Sequence, residues 1–156
     1  MNSGYSRSKP DFFKTVADKS KSRWLQLEAD PELAGPWHQL FSQVQSPRHV
    51  LSELLQNADD AGAKNVSVSI EDDFFILEHD GKDFSGDEFA SLCRFGYSNK
   101  RNLHTIGFRG IGFKSTFSLG DHVDVLTPSL AVRFDKKRFT LPQWIENAPN
   151  FEKTRV

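Results

Sequence analysis

The stretch ELLQNADDAGA, Glu53 to Ala63, decides how this chain is read. Leu54, Leu55, Ala58 and Ala61 keep a helical apolar spacing, yet Glu53, Asn57 and Asp60 stand among them. With about 100° of turn per residue and Glu53 at zero, Asn57 falls near about 40° and Asp60 near about −20°. The three form one stripe, as i, i+4, i+7 spacing requires. Val50, Ala61, Leu54, Ala58, Leu51 and Leu55 spread over about 60–200°, the arc expected to face a core, while Gln56, Asp59 and Ser52 face solvent. The polar stripe therefore borders the apolar face instead of opposing it. Glu53 and Asn57 lie about 6 Å apart along the axis, so a carboxylate and an amide oxygen can share one hydrated ion or one water. Taken alone, such a stripe is also what a solvated helix boundary looks like.

The helix has readable ends. Ser46 is a candidate N-cap with Pro47 at the first helical position, and Gly62 follows the last periodic residue, Ala61. Upstream, Met1 to about Asp11 is polar and expected to be loosely held. Phe12 to Ala29 reads as one or two helices, and GPWHQLFSQVQS, residues 35–46, as another short helix started by Pro36. Downstream, Val66, Val68 and Ile70 alternate with Ser67 and Ser69, Glu71-Asp72-Asp73 turns, and Phe74 to Glu78 returns, which predicts a hairpin. Ser85 is placed to cap a helix over Gly86 to Phe95, and a long glycine-rich loop leads to a short helix near Phe113 to Ser118. HVDVLT and LAVRFD alternate as strands. RFTLPQWIENAPN, residues 138–150, is expected as a short helix or loop, and KTRV as the opening of a further strand. Strands average about five to six residues, so the sequence is expected to be a piece of a larger protein.

The bulk composition narrows the class. A chain of 156 residues with 37% hydrophobic residues, fourteen Phe and three Trp suits one domain around a single core. Twenty basic and 21 acidic residues, a net charge of −1, give no electrostatic case for nucleic acid or an anionic membrane. No apolar run is long enough to span a bilayer, and the first residues lack the apolar core of a signal peptide. The single cysteine, Cys93, forms no internal disulfide and no Cys-based metal site, so a reducing, cytoplasmic setting is expected.

Two further stretches carry candidate chemistry. In IGFRGIGFKS, Gly107, Gly110 and Gly112 allow a backbone to turn and approach a ligand closely. Successive N–H groups ahead of a helix start make an anion cradle, and Lys114 and Ser115 add a cation and a hydroxyl. Lys100 and Arg101 lie upstream within reach of a phosphate. A P-loop is excluded, because Phe113 intrudes before Lys114 and no buried strand precedes the loop. A dinucleotide fingerprint fails as well, since Ser115 stands where the third glycine belongs. In EHDGKDFS, His79, Asp80 and Gly81 close the return strand of the hairpin, where ligands often lie, although an Asp followed by Gly is more often a plain turn.

The order of these three signals resembles the GHKL ATPases, which share the Bergerat nucleotide-binding fold: gyrase, the ninety-kilodalton heat-shock chaperones, histidine kinases and MutL proteins. ELLQNADDAGA, HDGKDFS and IGFRGIGFKS together look most like the sacsin-type subgroup, over about Ser46 to Thr127, with a chaperone-like role and a role in bacterial defence both open. The resemblance implies a two-layer α/β sandwich, with a mixed, mainly antiparallel sheet covered by helices on one face. It divides the chain into an N-terminal helical extension, residues 1–45, and an ATP-binding domain, residues 46–156. It implies a magnesium-dependent site for ATP and ADP that acts as a conformational switch in a larger protein, with further domains C-terminal to it. A homodimer through the N-terminal segment or the lid is possible in that scheme, and neither nucleic acid nor membrane is a direct partner.

Residue by residue, Glu53 matches the general base and Asn57 the magnesium-holding position. Asp60 matches the later acidic position on that helix, and Gly81 the glycine beneath the adenine. Gly107, Phe108, Arg109, Gly110, Ile111, Gly112, Phe113, Lys114 and Ser115 match the loop that wraps the phosphates, Lys100 a lid residue, and Thr154 the threonine of a late strand that reaches adenine through water. There are two departures. His79 stands where the family has the Asp that accepts the adenine amino group, and Asp83 replaces a second glycine. Either a neutral imidazole accepts that bond through one nitrogen, or Asp80 substitutes. The alternative to an ATPase is a catalytically silent scaffold or protein-interaction domain on the same fold. Hydrolysis by this stretch alone is expected to be slow or undetectable, because in related proteins a following domain completes the site.

Overall fold

The computed structural model describes residues 7–35, 47–94 and 115–156. Its helices are α1 (Asp11–Ala29), α2 (Pro47–Asp60) and α3 (Gly86–Leu92), with a 3-10 turn at Ser115–Ser118. Its strands are β1 (Val66–Glu71), β2 (Phe74–His79), β3 (His122–Leu126), β4 (Ala131–Asp135), β5 (Arg138–Trp144) and β6 (Thr154–Arg155). They form one six-stranded sheet in the order β1-β2-β6-β3-β4-β5. Every pairing among the described residues is antiparallel, so the parallel element that a mixed sheet would contain is not found there. The fold is the expected α/β class, an open sheet with helices. The short helix expected from Pro36 lies outside the described residues.

The alternation in each strand sorts the two faces of the sheet. Leu77, His79, Thr154, Val123, Val125, Val132 and Phe134 are buried on one side. On the other, Arg155 donates to Glu78 and Arg133 to Asp124 across neighbouring strands. The helices cover the apolar side. α1 buries Phe13, Ser20, Trp24 and Leu27, a stripe at helical spacing, against β5 and α3. Phe13 meets Trp144 edge-on at 5.2 Å, and Trp24 meets Phe139 at 5.2 Å, the tilted geometry that aromatic quadrupoles favour. α2 buries Val50, Leu54 and Ala58 over Leu77 of β2. Leu51 and Leu55, at the far end of its predicted core arc, are exposed, so the arc that meets the sheet is narrower than the sequence pattern.

Local signals account for the element ends. At the end of α2, Ala63 N–H donates to the Ala58 carbonyl and Gly62 N–H to the Asp59 carbonyl, and Gly62 has φ +73°. That is a Schellman ending, in which glycine supplies the left-handed residue at no steric cost. Ser85 caps α3 by accepting from Glu88 N–H, as expected, and the helix ends at Leu92, short of Phe95. The β1–β2 turn puts Asp72 at φ +53°. At the N-terminal side, the Arg7 guanidinium donates to the carbonyls of Thr127, Pro128, Leu130 and Pro149, holding that segment on the β3–β4 turn.

Strand β5 corrects the expectation of a helix or loop over residues 138–150. Pro142 fits in β5 because, among the described residues, this is an edge strand paired with β4 alone, where a missing N–H is tolerated. A register shift between Arg133 and Asp135 also puts Phe139 and Thr140 in the core consecutively, which hides the alternation. Within that core, Trp24 Nε1–H donates to Thr140 Oγ1 at 2.7 Å, and Ser20 Oγ donates to the Thr140 carbonyl at 2.7 Å. Thr140→Val keeps the volume and removes the hydroxyl acceptor. It is expected to destabilise the fold by about 1–3 kcal/mol, the cost of an unmet buried polar group, read from chemical denaturation.

Candidate functional site

A cleft opens between α2 and the sheet where β2 and β6 run side by side. Leu54, Asn57 and Ala61 form its helix wall, and Leu77, His79, Thr154, Val125 and Val156 its floor. Lys82 and Phe84 from the turn after β2, with Glu88 and Leu92 of α3, close the far side. Among the described residues the cavity itself measures about 50 Å3, within a wider cleft that opens outward. It is mostly apolar with a few convergent polar groups, the usual make-up of a small-molecule pocket.

Its floor carries two polar side chains. His79 and Thr154 are direct partners across β2 and β6 and share one sheet face. Both are buried, and Thr154 Oγ1 has no hydrogen-bond partner among the described residues. A buried hydroxyl without a partner is costly unless a ligand or water meets it. His79 Nδ1 accepts the Gly81 N–H at 3.0 Å. A ring nitrogen that accepts carries no proton, so the neutral ring bears its proton on Nε2. Burial lowers the His79 pKa and outweighs the opposing pull of Asp80, which keeps the ring neutral. The expected role of His79 as acceptor of an amino group is therefore not open through Nδ1.

The alternative reader, Asp80, is occupied elsewhere. Its carboxylate accepts from the backbone N–H groups of Lys64 and Asn65 at 2.8 and 2.9 Å and from Asn65 Nδ2 at 2.8 Å. Those bonds lower its pKa from 3.8 to about 2. Asp80 ties the turn after β2 to the segment entering β1 and does not line the cleft. Asp83, in place of a glycine, is also a tie. It accepts Ser129 N–H at 2.9 Å, joining this turn to the β3–β4 turn, and Phe84 N–H at 2.7 Å.

Gly81 has a steric reason to be glycine. A Cβ there would come within 2.8 Å of Ala61 Cβ and 2.9 Å of the Ala61 carbonyl. Lys82 N–H donates to that carbonyl at 2.9 Å, so the turn is pressed against the end of α2.

Of the residues singled out in the sequence, the structure brings Asn57, His79 and Thr154 together at the cleft, with Gly81 just behind it. Glu53 is half-buried one turn before Asn57 on α2. Asp60 is exposed and accepts from Gln56 Nε2 at 3.2 Å, away from the cleft lining. Lys100 and the loop from Gly107 to Lys114 lie outside the described residues, and Ser115 begins the 3-10 turn. Lys82, Phe84, Glu88 and Leu92 were missed. Lys82 and Phe84 are inside the EHDGKDFS motif, and Glu88 and Leu92 share one face of α3 at i, i+4 spacing, a signal that was available. Among the described residues no group of three or more His, Cys, Asp or Glu side chains is placed to hold a metal, and no helix is long and apolar enough to cross a membrane. A site relying on one amide plus phosphate oxygens still suits magnesium, which often keeps one or two protein ligands and several waters.

Residues 45–148 match the family model described as histidine kinase-, DNA gyrase B- and HSP90-like ATPase. Among curated proteins, the chain is similar to the DNA mismatch repair protein MutL of Chlorobium chlorochromatii, 38% identical over 95 residues, covering 54% of this chain and 14% of that protein. It is also similar to the MutL of Chloroherpeton thalassium, 35% identical over 108 residues, covering 63% of this chain and 16% of that protein. The matched region thus spans about one-seventh of the length of these relatives. No solved structure gives a significant match.

Two outcomes test this geometry. Gly81→Ala is expected to destabilise the protein by about 1–3 kcal/mol through overpacking against Ala61, seen as a lowered Tm. For Asp80, the folded state takes up its proton near pH 2 and the unfolded chain near 3.8. The stability it contributes is therefore complete above the unfolded value and disappears as pH falls through the folded one. Asp80→Asn is expected to flatten stability between about pH 2 and 4, read from denaturant midpoints across that range.

Proposed function

This chain belongs to the histidine kinase-, DNA gyrase B- and HSP90-like ATPase family, and on that premise we propose that it is a magnesium-dependent ATP-binding module. The base sits in the cleft between α2 and the β2–β6 floor. The observation that carries this reading is the unpartnered Thr154 hydroxyl, buried in an apolar cleft whose wall presents Asn57. An apolar cleft with one orphaned polar atom at its floor is made for a flat heterocycle that supplies the missing hydrogen bond.

The triphosphate leaves the cleft past Asn57, toward Glu53 one turn earlier on α2. Asn57 supplies an amide oxygen to magnesium, which when bound offsets phosphate charge. Glu53 orients a water and takes its proton as that water attacks the terminal phosphorus in line, breaking the bond to the β–γ bridging oxygen and releasing ADP and phosphate. The glycines from Gly107 to Gly112 contribute backbone N–H groups to the phosphate tail. Residues 46–156 form this module and residues 1–45 an extension of it. Hydrolysis by this stretch alone is slow, because a cation from a following domain is what completes such sites. Its role is a conformational switch within a larger intracellular protein of the sacsin-type or MutL-type kind, with dimerisation through the N-terminal segment or the lid.

A second reading keeps the fold and discards the turnover, leaving a scaffold or interaction domain. It is favoured by Asp83, which spends its carboxylate on the Ser129 backbone where the family has glycine. Titration calorimetry separates the two. With magnesium, the chain is expected to bind ATP, Asn57→Ala to lose the magnesium-dependent part, and Glu53→Ala to bind nearly as well with turnover abolished. Turnover of the unaltered chain is expected below about 1 per second. Absence of ATP binding would favour the scaffold, and a Glu53→Ala variant as active as the parent would remove the base assignment.

A further inference from the structure

His79 is the point at which this chain departs from the carboxylate pattern it otherwise resembles, and its hydrogen bonding fixes what it offers a ligand. A carboxylate at the floor of the cleft would only accept. The Gly81 N–H, pinned between Ala61 and the ring, occupies Nδ1 at 3.0 Å, so the neutral ring offers a proton at Nε2. Nε2 makes no hydrogen bond to any described residue, while the ring lines the cleft. Of the two carboxylates beside it in sequence, Asp80 is held by Lys64 and Asn65, and Glu78 accepts from Arg155 on the opposite sheet face, so neither reverses that polarity.

The neighbouring floor group behaves differently. Thr154 is directly opposite His79 in the β2–β6 register, at a spacing where cross-strand Cβ atoms lie about 4.5–5.5 Å apart. Its unpartnered hydroxyl donates or accepts by rotation. The floor is thus one fixed donor beside one adaptable group. The adenine edge presents an acceptor, ring N1, beside a donor, the 6-amino group.

We propose that base recognition in this cleft is reversed in polarity: His79 Nε2–H donates to N1 of adenine, and Thr154 Oγ1 accepts from the 6-amino group. This deepens the ATP-binding reading and rests on it. His79 is then the residue that determines specificity, since a fixed donor rejects a base whose N1 is protonated or replaced by C–H. Thr154 tolerates changes at the 6 position because its hydroxyl re-orients.

The unaltered chain tests this with ligand analogues, so no variant needs to fold. Titrations with magnesium compare ATP, 1-deaza-ATP and purine riboside triphosphate, which lacks the amino group. The 1-deaza analogue is expected to bind about tenfold to hundredfold more weakly than ATP, because it covers the Nε2–H without meeting it. Purine riboside triphosphate is expected to lose less than 1-deaza-ATP does. Nitrogen NMR of the nucleotide-free chain is expected to show the Nε2-protonated tautomer of His79. His79→Asp, checked for folding by its Tm, is expected to narrow the gap between ATP and 1-deaza-ATP. A 1-deaza analogue that binds within about twofold of ATP, a gap below the cost of an unmet donor, or an Nδ1-protonated ring, overturns the inference while ATP binding stands. If ATP itself does not bind, the nucleotide reading falls and this inference with it.

Discussion

The structure depends on a two-residue strand. β6 lies between β2 and β3, and without it the sheet would be a hairpin and a three-stranded meander with no strand pairing between them among the described residues. Reciprocal bonds between Leu77 and Val156, at 2.9 and 2.8 Å, extend the join. Two residues suffice because the faces on either side are already apolar, so α1, α2 and α3 can seat on one continuous surface. The same insertion sets Thr154 beside His79, so the element that unifies the sheet also builds the floor of the cleft.

That floor runs against the ordinary economy of a core. Leu77, Val125 and Val156 surround it, and burying a hydroxyl among them without a partner opposes folding. The surrounding ties hold the cost in place. Asp80 fastens the turn to the entry of β1, Asp83 fastens it to the β3–β4 turn, and Gly81 lets it press on α2. The Asp80 and Asp83 ties both use backbone N–H groups, and His79 commits only Nδ1, to the Gly81 N–H.

Much of this was legible in the sequence because it depends on local rules. The 53–63 stripe, the Gly62 ending, the Ser85 cap and the 66–79 hairpin follow from periodicity, caps and turn chemistry, and the structure contains them. What was not legible depends on partners distant along the chain. β5 carries Pro142 and breaks its alternation at Phe139 and Thr140, and the sequence does not state that it is at an edge, where both are tolerated. Leu51 and Leu55 looked like core because periodicity gives an arc and not the width of what covers it. At the site, Asn57, His79 and Thr154 could be named as a group only through a family likeness, since about 97 residues of chain order separate a helix from the strand it faces. Which nitrogen of His79 is protonated was beyond the sequence, because the donor that decides it is a backbone group placed by the fold.

The Arg7 contacts extend further than the N-terminal segment they hold. Arg7 grips the carbonyls of the β3–β4 turn, and the Ser129 N–H of that turn is gripped in turn by Asp83, two residues from the Gly81 that orients His79. Tail and pocket wall are therefore joined through two polar contacts, with the β3–β4 turn as the shared member.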